Sequence, residues 1–411
     1  IFVFYTVLAF LNTLYNHGMD SALLKFFNAD EPKTVITTSL IYSFFIGCVF
    51  SFLIVFFHGL LDYDYIYGDI ILTPFLIYYL CAILFFDMLS SRAMNILRLT
   101  EKPYYYLAVS FVAVFVAVFC NYYYIKVLGF GINGVFLSLL IASFVQLFFL
   151  VPVLVSNLKI SNFRLSTLKK LLFFALPFFP ASIFFVLIEV SDRWMLGWLG
   201  TLLDIGLYGA GYKVGSLILM VVLAFNLNWQ PFYLKKNQSS ESLETIGNLF
   251  IVVLIFITTI LSSIWPVLIK INVFNFYMVG ESFWLGGKVV PVVATSYMFY
   301  GLFILQMPSI YIKNKHSWIP VIWGAGLLVN FTSNYFLIQR LGFVGAAYST
   351  LLTYMFMSIF LVLKNRTWFP LSYDYIKILK VLLASLFVYI ISSSSINIYI
   401  GLKKFENFKK C

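Results

Sequence analysis

Twelve predominantly apolar runs divide this chain, and little lies between them. They fall near residues 1–16, 34–58, 71–91, 104–125, 134–155, 169–190, 205–229, 246–269, 288–309, 318–338, 343–363 and 376–399. An α-helix rises 1.5 Å per residue, so about 20 apolar residues cross the hydrocarbon core of a bilayer. The runs are rich in Phe, Leu, Ile and Val without alternation of polar and apolar residues, which disfavours an outer-membrane barrel. Only 10% of the 411 residues are charged and 62% are hydrophobic. Soluble domains carry about 25% charge, so no sizeable one fits here. The chain reads as an all-α polytopic membrane protein.

Orientation follows from Lys and Arg in alternate loops. One set holds sixteen: Lys25, Lys33, Arg92, Arg98, Lys102, Lys159, Arg164, Lys169, Lys170, Lys235, Lys236, Lys313, Lys315, Lys364, Arg366 and Lys377. The other holds five: Lys126, Arg193, Lys270, Lys288 and Arg340. The first set is therefore cytoplasmic, and the acidic "LDYDYIYGD" (Leu61 to Asp69) is external. The tail "LKKFENFKKC" fits this scheme poorly, unless it leads into a further helix. The net charge of +11 suits cytoplasmic loops over an anionic leaflet. No basic domain exists to bind nucleic acid.

Four cysteines, three of them inside apolar runs, make no disulfide framework, and three scattered histidines make no metal motif. No metal, cofactor, hydrolytic nucleophile motif or phosphate-binding loop is expected, and the chain does not read as an enzyme.

The chain also repeats itself. "NYYYIKVLGF" (Asn121 to Phe130) and "NYFLIQRLGF" (Asn334 to Phe343) lie 213 residues apart, and each precedes a glycine and an apolar run. The same offset superposes Lys102 on Lys315. At an offset of 210, "NHGMDSALLK" (Asn16 to Lys25) falls on Asn226 to Lys235. Paired segments have the same orientation, so the repeats are parallel and predict two six-helix bundles around a central cavity, as in secondary transporters. The boundaries are 1–155 for the first bundle, 156–168 for a cytoplasmic linker, 169–363 for the second bundle, and 364–411 for a further span and basic tail. The run at 169–190, shifted back by about 210, falls before Ile1. An N-terminal helix is therefore expected to be missing, a removed signal peptide being the rival explanation.

Intramembrane polar residues are costly and mark cavities. Lys213 lies about two turns inside its run beside Tyr208 and Tyr212, with Asn226 further along; it either snorkels to the surface or faces the cavity. Asp192 and Arg193 are either a solvated external helix end or polar partners of the cavity. Glu189, a turn deeper, is a candidate for ion coupling. Asp87, five residues before Arg92, forms with it either a structural pair or a proton relay; Arg92 and Arg98 also read as cytoplasmic anchors. Pro177 and Pro180 in "LPFFP" mark a bend or hinge.

"ALPFFPASIFFVLIEVSDRWMLGWLG", followed by "IGLYGAGYKVGSLILMVVLAFNLNWQPFYLKK", resembles the Wzx-type polysaccharide flippases of the multidrug/oligosaccharidyl-lipid/polysaccharide (MOP) exporter superfamily. The resemblance is sharpest at 172–236, and "HGMDSALLKFF" looks like the family's N-terminal stretch. Members usually have 12 or 14 spans, from which this chain departs at both ends. The resemblance implies a MATE-like fold in the bacterial cytoplasmic (inner) membrane. It also implies flipping of undecaprenyl-diphosphate-linked oligosaccharide units for O-antigen, capsule or exopolysaccharide, by alternating access coupled to an ion gradient. Expected partners are the lipid-linked oligosaccharide, membrane lipids, a polysaccharide polymerase and a chain-length regulator. Lys213, Arg193, Arg92, Tyr208, Tyr212 and Asn226 would then line the substrate path, with Glu189, Asp87 and Asp192 as coupling acids. The alternatives are a multidrug exporter of the same superfamily and a membrane glycosyltransferase or O-antigen polymerase. An exporter of cationic drugs needs an acidic cavity, whereas Lys213 leans basic. An enzyme usually has a larger external loop than any here.

Overall fold

A computed structural model of the chain describes residues 2–27, 30–57, 74–235, 239–273, 276–277, 279–374 and 376–391. Contacts group into two compact units, one of Ile1–Val186 with Leu234–Lys236 and one of Leu187–Tyr233 with Asn237–Cys411. The first contains α1 (Phe2–Asn16), α2 (Met19–Phe26), α3 (Pro32–Phe57), α4 (Pro74–Leu99), α5 (Pro103–Asn121, continued by the π-helical turn Tyr122–Val127), α6 (Gly131–Asn157) and α7 (Leu165–Ala175). Helix α8 (Phe178–Leu199) passes from the first unit into the second. The second continues with α9 (Leu202–Gly215), α10 (Leu217–Tyr233), α11 (Ser240–Leu268), α12 (Val290–Leu305), α13 (Pro308–Ile312), α14 (Ile319–Leu341), α15 (Phe343–Trp368) and α16 (376–391). A two-residue hairpin, Asn272–Val273 with Phe276–Tyr277, and a 3₁₀ stretch, Glu281–Val289, join α11 to α12.

Among the described residues, nine helical stretches are long and apolar enough to cross a membrane, and α9 with α10, bent by 43°, makes a tenth. The first and last runs of the sequence fall on α1 and α16. The acidic stretch at 61–69 and the tail at 402–411 lie outside the described residues. Helices overrun the apolar windows where polar residues find partners inside the protein: α4 continues through Arg92 to Leu99, and α8 through Asp192 to Leu199.

The repeat is visible in backbone geometry. In the first unit the Lys102 N–H donates to the Leu97 carbonyl at 2.9 Å; 213 residues later the Lys315 N–H donates to the Ile310 carbonyl at 2.9 Å. Between them, Glu101 and Asn314 both take φ 55°, and the next turn repeats the pattern with Gly129 (φ 68°) and Gly342 (φ 57°). Helix pairings repeat too: α4 packs on α3 and α6 and α5 on α6, as α12 packs on α11 and α15 and α14 on α15. Two units of like topology follow from one duplicated pattern.

Lipid chains are as apolar as Leu, so hydrophobicity alone does not hold such helices together; packing and polar contacts do. Accordingly Phe44, Phe52, Phe56, Phe111, Phe115 and Phe119 point outward, while Thr37 donates to the Asn157 carbonyl at 3.2 Å and Thr38 accepts from the Arg164 N–H at 3.3 Å.

Two helix breaks meet in the first unit. Helix α1 ends at Asn16, and His17 (φ 30°) and Gly18 (φ 79°) turn the chain into α2. Helices α7 and α8 part at Leu176 and Pro177, whose ring nitrogen has no hydrogen to donate into the ladder. Pro180 sits in the first turn of α8, where N–H groups lack intrahelical acceptors anyway, so it is accommodated without a second break. A Cβ on Gly18 would lie 2.3 Å from the Ala175 carbonyl oxygen and 2.8 Å from the Phe178 Cβ. Gly18→Ala is therefore expected to lower the thermal unfolding midpoint of the purified protein. Left-handed backbone alone costs an L-residue roughly 1–2 kcal/mol, and the contact with backbone adds to it. A wild-type midpoint would show that the two breaks are not in contact.

Candidate functional site

The second unit holds two carboxylates one turn apart on α8, each wrapped by hydroxyl and amide donors. Asp192 is 2% exposed. Its Oδ1 accepts from the Asn334 Nδ2 at 2.8 Å, and its Oδ2 accepts from the Thr350 hydroxyl at 2.7 Å and from the Tyr208 hydroxyl. These donors come from α14, α15 and α9, so a single side chain ties three helices to α8. The network extends outward: Ser191 donates to the Asn330 Oδ1 at 2.5 Å, Asn334 donates to the same oxygen at 3.1 Å, and Ser349 donates to the Asn330 carbonyl at 2.9 Å.

Glu189 faces tyrosines. Its Oε1 accepts from the Tyr354 hydroxyl at 2.6 Å, and its Oε2 from the Tyr212 hydroxyl at 2.7 Å. The Tyr297 hydroxyl reaches both oxygens, at 3.2 and 3.1 Å, and also meets the Tyr212 hydroxyl. Three phenols from α9, α12 and α15 thus surround one half-buried carboxylate. Above the Tyr212 ring lies the Arg193 guanidinium, 4.7 Å from the centroid, and it donates to the Glu189 carbonyl at 3.3 Å. Close approach of α9 to the 3₁₀ stretch sustains this geometry: a Cβ on Gly211 would meet the Gly286 carbonyl at 2.0 Å. Chemically the arrangement is one buried and one half-buried acid whose neighbours are donors or rotatable hydroxyls.

A second polar centre lies in the first unit. Arg92 is fully buried and pairs with Asp20; it also donates to the Ser43 hydroxyl at 3.0 Å and the Asn16 carbonyl at 3.4 Å. Asn95 and Ser91 donate to the same carboxylate at 2.5 and 2.8 Å. Arg92 thus joins the last carbonyl of α1 to the first turn of α2, across the break at His17 and Gly18.

Several expectations change on this geometry. Asp87 and Arg92 do not pair: residues five apart point about 140° apart around a helix, Asp87 meets Ser143, and Arg92 turns to Asp20. Arg92 is no cytoplasmic anchor and no free cation of a path. Asp192 does not end a solvated helix, because α8 continues seven residues beyond it to Leu199. Tyr208 and Tyr212 are buried and engaged with acids, whereas Lys213 is exposed, well round the helix from them. Asn226 is half-buried on α10. Sequence reasoning missed Asp20, Tyr297, Asn330, Asn334, Thr350 and Tyr354. Asp20 and Asn334 stood inside the repeated segments; the others carry no local signal. Among the described residues, no group of three His, Cys, Asp or Glu side chains is placed to hold a metal.

Comparison with solved structures places this architecture. A mutant of the Vibrio cholerae MATE transporter VcmN is 12% identical, with a TM-score of 0.70 over 87% of this chain and 85% of that one. An outward-facing multidrug resistance MATE family transporter of the MOP superfamily is 15% identical, with a TM-score of 0.70 over 92% and 86%. A MOP superfamily transporter from Pyrococcus furiosus is 15% identical, with a TM-score of 0.69 over 89% and 85%. At such identities the likeness establishes the fold: this is a multi-pass membrane protein with the architecture of MOP superfamily transporters. A search of curated proteins found no match. A family model described as polysaccharide biosynthesis protein matches residues 2–232, more than half of the sequence. The chain belongs to the polysaccharide biosynthesis protein family.

Proposed function

We propose that the protein moves a lipid-linked oligosaccharide, carried on an undecaprenyl diphosphate, from the inner to the outer leaflet of the bacterial cytoplasmic membrane by alternating access. The observation that carries this reading is the family match over residues 2–232 in a chain with a transporter fold. Exposed Lys213 on α9 and half-buried Arg193 and Asn226 supply polar groups for the diphosphate and sugars; a diphosphate is best met by cations with several donors. Glu189 is the coupling acid, since an intramembrane carboxylate ringed by phenols is expensive unless it works. Asp192 orders the helices around it.

Full-length protein in a flippase-null strain tests this by surface polysaccharide. Wild type is expected to restore surface glycan, and Lys213→Gln and Glu189→Gln to lose it at normal protein level, with lipid-linked units accumulating inside. Failure of the wild type in strains supplying several glycan types would sink the substrate reading. Full complementation by Lys213→Gln would remove only that residue's role. A strain rescued for resistance to cationic drugs instead would establish the multidrug alternative.

A further inference from the structure

The end of the α14–α15 hairpin carries cations on aromatic rings, apart from the buried acids. The Lys364 ammonium lies 4.7 Å from the Trp318 ring centroid and 5.7 Å from that of Phe360. Lys315 lies 5.8 Å from the Trp368 centroid, and Lys313 lies 5.7 Å from that of Phe369. Trp318 and Trp368 contact each other with centroids 5.4 Å apart. The cluster is braced from beneath, because the Asn365 side-chain amide donates to the Gln306 carbonyl and Oε1, both at 2.9 Å.

Among the described residues, Lys313, Lys315, Lys364 and neighbouring Arg366 form no ion pair. The acids of the adjoining segments are otherwise engaged: Glu244 accepts the Ser372 N–H at 2.6 Å, and Asp374 accepts the Lys377 N–H at 2.9 Å. Lysines resting on ring faces lose little of their charge to those rings, so the cluster presents excess positive charge. All four cations belong to the loops whose Lys and Arg content assigns them to the cytoplasmic side. Tryptophan at that level sits among lipid headgroups, and the cytoplasmic leaflet is the anionic one.

We propose that this cluster is a binding site for the phosphate of an anionic phospholipid in the cytoplasmic leaflet, with Lys313, Lys315 and Lys364 holding the headgroup and Trp318 and Trp368 the glycerol and upper acyl region. The site is independent of the transported substrate. Each lysine near an anionic surface is worth roughly fivefold in lipid partition, and the preference weakens with salt.

The test is tryptophan fluorescence of full-length protein in phosphatidylcholine vesicles with an equal fraction of either brominated phosphatidylglycerol or brominated phosphatidylcholine. Of the eight tryptophans in the chain, Trp318 and Trp368 lie in the cluster. Stronger quenching of the wild type by the brominated phosphatidylglycerol is expected, and high salt should reduce it. The Lys313→Gln/Lys315→Gln/Lys364→Gln variant should lose the preference; the corresponding triple arginine variant and a Lys159→Gln control should keep it. Equal quenching of the wild type by both lipids overturns the proposal. So does a preference that survives in a glutamine variant of wild-type melting behaviour in phosphatidylcholine.

Discussion

Asp192→Leu is expected to yield little or no folded protein, whereas Asp192→Asn folds. The carboxylate receives three donors: the Asn334 amide on Oδ1, and the Thr350 and Tyr208 hydroxyls on Oδ2. Leucine removes every acceptor at once. Thr350 has a fallback, since its hydroxyl also reaches the Ala346 carbonyl at 3.2 Å. Asn334 keeps only its longer bond to the Asn330 Oδ1 at 3.1 Å, while its N–H toward Asp192 and the Tyr208 hydroxyl both lose the acid as acceptor and remain buried. At roughly 1–3 kcal/mol for each orphaned donor, the loss is on the order of 2–6 kcal/mol, a large share of the typical stability of about 5–15 kcal/mol. Asparagine behaves differently because it keeps an oxygen for Asn334 and turns its amide toward two hydroxyls, which rotate to accept. Size-exclusion profile and thermal midpoint in one detergent separate the cases. A monodisperse Asp192→Leu protein with the wild-type midpoint would mean that the donors are satisfied elsewhere.

Most of the fold was legible in the sequence, for a plain reason. Inside a bilayer each helix must satisfy its own backbone, so element existence reduces to counting apolar residues, and every apolar run meets a helix. The duplication was legible as well, because it preserved unusual backbone positions such as Glu101 with Asn314 and Gly129 with Gly342, not composition alone. What escaped was pairing. The sequence places Asp87 near Arg92 and leaves Asp20 alone, yet the partner of Arg92 comes from 72 residues away. Likewise Tyr297 and Tyr354 look like two of 28 tyrosines until α12 and α15 bring them to Glu189. Bends were legible where proline made them, at Pro177. The end of α1 coincides with the end of its run at residue 16, but the left-handed turn at His17 and Gly18 was not legible, since a lone glycine announces none. Side-chain exposure also divided Lys213 from its two tyrosine neighbours, which helical phase rather than proximity decides.

The Asp20–Arg92 pair should behave asymmetrically under mutation, with Asp20→Asn the more damaging change. The guanidinium is 0% exposed, while the carboxylate side chain is 30% exposed. Removing the acid's charge strands a cation in the interior of a membrane protein with neutral acceptors alone, namely the new amide oxygen, the Ser43 hydroxyl and the Asn16 carbonyl. Stranded buried charges of this kind cost about 3–5 kcal/mol, and partial exposure of the pair argues for the lower end. Arg92→Met leaves Asp20 with donors from Ser91 and Asn95 and with access to water, so its cost is smaller. Methionine also fills most of the vacated volume. The double variant Asp20→Asn/Arg92→Met should then recover most of the loss of Asp20→Asn alone. Such a cycle isolates the pair's coupling from damage to the helices around it. Equal losses from the two single variants, or simple additivity in the double, would mean that Arg92 acts through its bond to the end of α1 and not through Asp20. The two halves of the bent helix would then be joined at that carbonyl, and Asn16 rather than Asp20 would be the residue that sets the bend.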